Sequence, residues 1–330
     1  MVRLTTVELR RLVARRMTVV GVIGLLLITL LLLFATWLEA RPSSAEEQRA
    51  AQSQYEIAHQ QWVDGHVANE AACNEQWEKQ PDPKPKREDM CSYPEPKPEE
   101  FGRPPTVFAE LMPELLHGVS YLLLFAAFLL GASFVAAEFS TGAIGNWLTF
   151  EPRRLQVYGS KLLAAAIGFV PVAVVVLGVL VVGTYLIVDQ LGSTATTTGK
   201  VWGDLLATAG RAVVLTALGA AIGGVVGLLL RHTAAAIGLA MGYLVLVEAI
   251  FGNLLNKVQP WLVKLNFDAF IRHDTTYYVN QCSSTSDGGY LCNSVLKTLT
   301  FERGAWYLGI LAVILVVFGA AVFHRRDINS

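Results

Sequence analysis

Glu110, Glu114 and His117 are the residues of this sequence whose types and spacing most suggest chemistry. Because they recur every three or four residues, one face of a helix would carry two carboxylates and an imidazole. Such a trio could bind a metal ion or a proton. More often such residues form the hydrated mouth of a membrane helix, and we favour that interpretation.

The stretch from Gly192 to Lys200 resembles a phosphate-binding loop only superficially. A P-loop requires G-x-x-x-x-G-K-[ST], in which four intervening residues let the backbone amides wrap the phosphates. Here six residues separate Gly192 from Gly199, Val201 follows Lys200, and no strand precedes the loop. No other stretch fits the pattern, so we predict that the chain has no ATPase site of its own.

Motifs of known catalytic sites are also missing from the sequence. Neither H-E-x-x-H nor G-x-S-x-G occurs, and His, Asp and Ser do not cluster within the apolar runs. We therefore predict that the chain is not an enzyme, that it holds no cofactor and that it has no metal centre.

The composition is that of a helical membrane protein. Of the 330 residues, 53% are hydrophobic and only 16% are charged, whereas soluble domains have about 25% charged residues. Several apolar runs approach the roughly 20 residues that a helix needs to cross a bilayer. The net charge of −1 argues against a nucleic-acid partner.

The apolar runs predict an all-α polytopic protein with six transmembrane helices. Arginines flank the first span and follow the last, which places both termini in the cytoplasm. Residues 1–16 form either a basic amphipathic helix on the inner leaflet or a plain basic flank, and residues 324–330 form a cytoplasmic tail. The predicted spans are 17–38, 107–137, 158–188, 201–230, 233–255 and 304–323.

Two segments, 39–106 and 256–303, are predicted to lie outside the cytoplasm, and each contains one cysteine pair. We expect the disulfides Cys73–Cys91 and Cys282–Cys292, since disulfides persist in oxidising compartments. The segment 39–106 combines a helical stretch with a Pro-rich return. It is either a solvated spacer or a surface on which a partner docks.

Small and ionisable residues mark particular positions within the spans. Gly219, Gly223 and Gly227 form a stripe that allows close approach of another helix, within the chain or between chains. Glu248 lies inside the fifth span, where a carboxylate is either functional or a structural partner of Arg211 or of a backbone group.

A semi-polar elbow, residues 138–157, joins the second and third spans and is predicted to be cytoplasmic. Its charged residues could form a salt-sensitive contact with a partner. Its apolar residues, which include Trp147 and Leu148, could anchor that contact, because aromatic residues are enriched at the centres of interfaces. Taken alone, the elbow could instead rest on the membrane surface with Trp147 as its interfacial anchor.

The order of these features resembles the type-two ABC transporter permeases of the exporter class. The resemblance is carried by an acidic-aromatic pair that ends the second span, a small-residue turn, an apolar stretch, a Pro-Arg step and a Lys that opens the third span. It extends to the N-terminal helix and the basic C-terminal ending, although the first outer segment is longer than is common in the family. The matching elbow residues are Glu138, Phe139, Ser140, Thr141, Gly142, Trp147, Leu148, Pro152, Arg153 and Arg154, followed by Lys161.

The resemblance implies a permease subunit in the cytoplasmic membrane of a bacterium. A separate ABC ATPase, which holds ATP and Mg²⁺, would dock on the elbow, and the permease would form a homodimer or pair with a similar subunit. The apolar spans favour export of an amphipathic or lipid-like substrate. The alternative is a scaffold or sensor that does not transport and whose outer segment binds a partner.

Overall fold

The chain folds into ten helices and one β-hairpin over the residues that the computed structural model describes, which are 2–80, 84, 86–140, 153–252, 258–284 and 290–325. Short 3-10 turns at Pro98–Glu100 and Gln259–Trp261 join some of the elements. The helices are α1 (Val2–Ala14), α2 (Arg16–Ala40), α3 (Ala45–Glu78), α4 (Arg87–Met90), α5 (Phe108–Ser140), α6 (Arg154–Leu191), α7 (Gly199–Leu230), α8 (Thr233–Gly242, continued as a π-helix over Tyr243–Phe251), α9 (Val263–Arg272) and α10 (Phe301–Arg325), and the strands are β1 (Thr275–Ser284) and β2 (Tyr290–Leu299).

Six helices of the described chain are long and apolar enough to cross a membrane: α2, α5, α6, α7, α8 with its π-helical continuation, and α10. Their number and order agree with the six predicted spans, and they are consistent with a multi-pass membrane protein. The helices α5 and α6 extend beyond the predicted bounds, to 33 and 38 residues.

The centre of the bundle is the parallel pair α5 and α7, which the glycine stripe brings into backbone contact. A Cβ atom at Gly223 would lie 2.0 Å from the Phe128 carbonyl oxygen, and one at Gly227 would lie 2.3 Å from that of Ala132. Glycine is therefore required at these positions by the close approach of α5. The stripe was predicted to pack against a helix of the same chain or of another chain. The structure shows that it packs within the chain.

The helix α1 packs against α6 instead of standing apart from the bundle. Leu12 is buried, and its side chain lies where a Cβ atom at Gly168 would fall, at 2.5 Å. Val2, Val7 and Val13 remain exposed, so only one strip of the predicted amphipathic helix is covered by protein.

The bundle has two distinct ends. The terminal end comprises α1, the last turns of α5, α7 and α10, and the first turns of α6. The hairpin end comprises the start of α5, the loop 192–198, α9 and the β-hairpin. At the hairpin end, Phe108 N–H donates to the Ser193 carbonyl and Ser193 N–H donates to that of Thr106, so the P-loop-like stretch serves to join α6 and α7 to α5.

A long helical arm follows α2 and leads back to α5. Its helix α3 begins with a capping box in which Ser44 and Glu47 each accept a hydrogen bond from the other's backbone N–H, and its 34 residues extend about 51 Å. Its closest packing is with its own return segment, where Trp62 Nε1 donates to the Tyr93 carbonyl at 2.8 Å and Tyr55 meets the ring of Phe101.

The arm is closed by a disulfide between Cys73 and Cys91, which confirms the first predicted pair. This bond pins the far end of α3 to the start of the Pro-rich return. The arm is thus a helix with a non-helical return segment against its aromatic side.

The second outer segment contains a β-hairpin that the all-α prediction omits. The strands β1 and β2 are antiparallel, and Cys282 lies directly opposite Cys292 in their register. The side chains of this second cysteine pair lie outside the described residues, so its disulfide stays a prediction. The helix α9 leads into this hairpin.

Candidate functional site

The described ends of the elbow, Glu138 and Phe139 on α5 and Arg153 and Arg154 at the start of α6, lie at the terminal end of the bundle. Arg154 Nη1 donates to the His324 carbonyl of α10 at 3.4 Å, and Arg153 precedes the first turn of α6. The other predicted contact residues, Gly142, Trp147, Leu148 and Pro152, lie outside the described residues.

Glu138 belongs to a cluster of charges that joins three helices. The ammonium group of Lys161, on α6, forms an ion pair with Glu138 at the end of α5 and a second one, at 2.9 Å, with Glu8 of α1. The Arg11 guanidinium lies 4.0 Å from the other Glu138 oxygen. Glu8 and Lys161 are only 1% and 2% exposed, so this contact is shielded from solvent.

Removal from water has a measurable cost for Glu8. Burial raises the pKa of its carboxyl above the usual value, although the nearby Lys161 opposes the change. A carboxyl whose pKa is higher in the folded state binds its proton more tightly there. Its contribution to stability therefore falls as the pH rises from the pKa of the unfolded chain to the higher pKa of the folded protein. A buried charge cluster of this kind fixes the relative positions of helices better than it stabilises them.

The partners of Lys161 on α1 were not predicted from the sequence, although a signal was present. Glu8 is the sole acidic residue of the basic first helix, and it lies one turn before Leu12 on the same side. A lone acid on the apolar side of a helix indicates a buried cationic partner.

Two further contacts hold the same end together. Arg15 Nη1, in the junction between α1 and α2, donates to the Ser133 carbonyl of α5 at 2.6 Å. The Arg231 guanidinium, after α7, lies 5.4 Å from the centre of the Phe139 ring. Among the described residues, charged side chains thus link α1, α5, α6, α7 and α10 at this end.

At the hairpin end, the two ionisable residues flagged within the spans hold the two ends of α9. The Glu248 carboxylate accepts the Lys264 N–H at 3.1 Å and the Tyr243 hydroxyl at 2.7 Å. The Arg211 guanidinium donates to the Phe270 carbonyl at 3.3 Å. An anion at the N-terminus and a cation at the C-terminus both complement the helix dipole. The sequence left two structural partners open for Glu248, namely Arg211 and a backbone group. In the structure its partner is a backbone group, the N–H of Lys264.

Replacing Glu248 with Ala should weaken α9, because the first turn of the helix then loses its acceptor. We expect a loss of about 1 to 2 kcal/mol, the range for removing a side-chain acceptor from a helix N-terminus, and faster hydrogen exchange in residues 263–267 by mass spectrometry. The matched variant Glu248→Gln keeps an acceptor oxygen and should lose less. Equal exchange in both variants would contradict the capping role.

The trio Glu110, Glu114 and His117 does not form a joint site. Glu110 is exposed, and Glu114 and His117 each contact α9 instead. Within the described residues, no group of three or more His, Cys, Asp or Glu side chains could hold a metal ion.

Comparison with known proteins places the chain in a family. No curated protein and no solved structure matches it. A family model described as "Protein of unknown function (DUF2705)" matches residues 97–329. The match begins near the end of the arm's return segment and includes α5 through α10. Since it spans more than half of the chain, the protein belongs to the DUF2705 family.

Proposed function

We propose that the protein is the transmembrane permease subunit of an ABC transporter, in which a separate cytoplasmic ATPase docks on the elbow. ATP and Mg²⁺ would bind to that ATPase, and the permease would act as a homodimer or beside a similar subunit. The terminal end of the bundle would face the cytoplasm of a bacterial cell, and the hairpin end and the arm would lie outside.

The observation that carries this proposal is the cluster of Glu8, Glu138 and Lys161 at the root of the elbow. It ties the last turn of α5 and the first turns of α6 to α1. Because the pairs are shielded from water, a displacement of the elbow would move these three helices together instead of bending a loop. A partner that pushes on the elbow could therefore rearrange the spans.

Charge and disulfide chemistry support the proposed orientation. The terminal end carries the arginines of α1 and the basic end of α10, which the positive-inside rule assigns to the cytoplasm. The bonded pair Cys73–Cys91 lies on the arm that follows α2, beyond the first span, where an oxidising compartment is expected.

An apolar groove supports an amphipathic or lipid-like cargo. It has a volume of about 220 Å³, lies between α2 and α6 beside Pro171, and is lined only by apolar side chains. A hydrocarbon chain would be accommodated there without the loss of any hydrogen bond.

Affinity purification of the full chain from its native membranes would test the proposal, because it should recover a P-loop ATPase together with the chain. The full chain and that ATPase are co-expressed, purified together and reconstituted in nanodiscs, and ATP hydrolysis is measured. We expect Trp147→Ala to reduce co-purification, and Glu138→Gln to lower the ATPase activity that the permease stimulates. Glu75→Gln, which removes an exposed charge on the arm, serves as the control and should change neither.

The alternative, a scaffold or sensor that does not transport, is favoured by one observation. The helix α3 packs mainly against its own return segment, which leaves much of its length to meet a partner outside the cell. In that case the ATPase fails to co-purify. Replacing residues 44–101 by a short linker then abolishes the binding of the outside partner.

A further inference from the structure

A second polar network holds the side of α9 against α5 at the hairpin end. His117 Nε2 lies 2.7 Å from Asp268 Oδ1, and the Tyr121 hydroxyl donates to the same oxygen at 2.5 Å. His117 Nδ1 lies 3.0 Å from Arg272 Nη2. The imidazole of α5 is thus placed between an anion and a cation of α9, one helical turn apart.

The two neighbours of His117 indicate which ring nitrogen carries the proton when the imidazole is neutral. A guanidinium group can only donate hydrogen bonds, so Nδ1 must accept from Arg272 and carries no proton. The proton of the neutral ring is therefore on Nε2, where it is donated to Asp268. Glu114 completes the network, because both of its oxygens accept from Arg272, at 3.0 and 2.7 Å.

A second proton on His117 would remove the hydrogen bond from Arg272, although the Asp268 carboxylate on the other side of the ring would attract the added charge. Nδ1–H would then point at the Arg272 guanidinium, so two donors and two positive charges would face each other at 3.0 Å. Like charges in contact repel, the more so when they are partly shielded from water. Arg272 would have to move away from His117, and α9 would lose one of its contacts with α5.

We infer that His117 is a proton-sensitive lock that holds α9 against α5 when the imidazole is neutral and releases it when the imidazole is protonated. Release would loosen the short helix that closes the hairpin end of the bundle and leads into β1. The inference rests on contacts between α5 and α9 alone, and it does not depend on the ATPase partner.

Titratable or charged groups of the surrounding elements belong to α5 itself, to α9 and the turn that follows it, to α7 and α8, and to α10, which packs closely against α9. They are Glu110, Glu114 and Tyr121 on α5, Lys264, Asp268 and Arg272 on α9, His273 and Asp274 after it, Tyr243 and Glu248 on α8, Arg211 on α7, and Glu302, Arg303 and Tyr307 on α10. An acid response of α9 could therefore come from His117 or from a carboxylate, and the variants below separate the two.

Hydrogen–deuterium exchange of the full-length protein in nanodiscs tests the lock. Exchange in residues 263–272 is compared at pH 8 and pH 5, a range within which imidazole ordinarily titrates, after correction for the intrinsic rates. We expect a rise of about tenfold at pH 5, the factor expected for the loss of one hydrogen bond to a charged group.

Two variants assign the response to His117. Gln has a donor and an acceptor but does not titrate. The corrected exchange rate of residues 263–272 in His117→Gln should therefore be the same at pH 5 and pH 8, whether that rate is high or low. His273→Asn is the matched control, because His273 stacks on Phe301 and has a φ of 60°, which Asn tolerates; its response should equal that of the wild type. The absence of a rise in the wild type, or an undiminished rise in His117→Gln, would overturn the inference.

Discussion

Replacing Gly223 with Ala is expected to destabilise the protein by more than about 3 kcal/mol, at the upper end of the cost of overpacking. The added methyl group would lie 2.0 Å from the Phe128 carbonyl oxygen and 2.8 Å from its Cα atom. Both atoms belong to the backbone of α5, so no rotamer change can relieve the clash. The helices must move apart, and the contacts along the whole stripe would weaken.

The matched control is Gly210→Ala on the same helix, α7. A Cβ atom there meets nothing within 4 Å, and Ala is favoured over Gly in a helix by up to about 1 kcal/mol. Thermal unfolding in detergent, followed by size-exclusion chromatography, compares the two variants. Similar melting temperatures for both would show that α5 and α7 do not touch through Gly223.

Replacing Lys161 with Met is expected to cost about 3 to 5 kcal/mol, the range for breaking a buried ion pair by removing one partner. The apolar side chain fills similar space, but it leaves the buried Glu8 carboxylate without its ammonium group and deprives Glu138 of an ion pair. The loss should be larger than for an exposed lysine. Lys79→Met, which removes an exposed pair with Glu75, should cost less than about 0.5 kcal/mol.

A second substitution shows whether the loss comes from the unpaired charge. Adding Glu8→Gln to Lys161→Met removes one buried charge and should recover about 1 to 2 kcal/mol. Glu8→Gln alone should cost less than Lys161→Met, because Gln still offers an acceptor oxygen to Lys161 and Lys161 keeps its ion pair with Glu138. If the double variant is less stable than Lys161→Met, the ion cluster does not control the stability of this end.

The features that the sequence predicted correctly are those that depend on local composition. Six apolar runs of sufficient length give six candidate spans, because a helix must satisfy its own backbone in a bilayer. The pair Cys73–Cys91 was predicted from one polar segment that contains both cysteines, and the structure confirms it. The stripe through Gly223 predicted close packing of α7 against another helix. The sequence of α7 does not show that this other helix is α5.

The features that the sequence did not predict depend on contacts between distant residues. Glu8 and Lys161 are 153 positions apart, and neither has a neighbour in sequence that identifies the other. Asp268 and Arg272 are separated by one helical turn, which could have indicated a polar side of α9, but their partner His117 is 151 residues from Asp268. The hairpin of β1 and β2 was missed because its strands are polar and lie among turn-forming residues.

The proposed role of the elbow depends on what binds to it, and the structure describes only its two ends. Glu138 and Arg154 place those ends beside α1 and α10. The apolar residues expected to meet the ATPase lie between them. A direct measurement of what Trp147 contacts therefore bears on the proposed function more closely than any stability assay.

That measurement is photo-crosslinking in intact cells with benzoylphenylalanine at position 147. The account predicts an adduct between the full-length protein and a P-loop ATPase, identified by mass spectrometry, and none when the probe is at Thr196 in the loop at the opposite end of the bundle. A folded protein that crosslinks at position 147 only to lipid, or equally from both positions, would contradict the account.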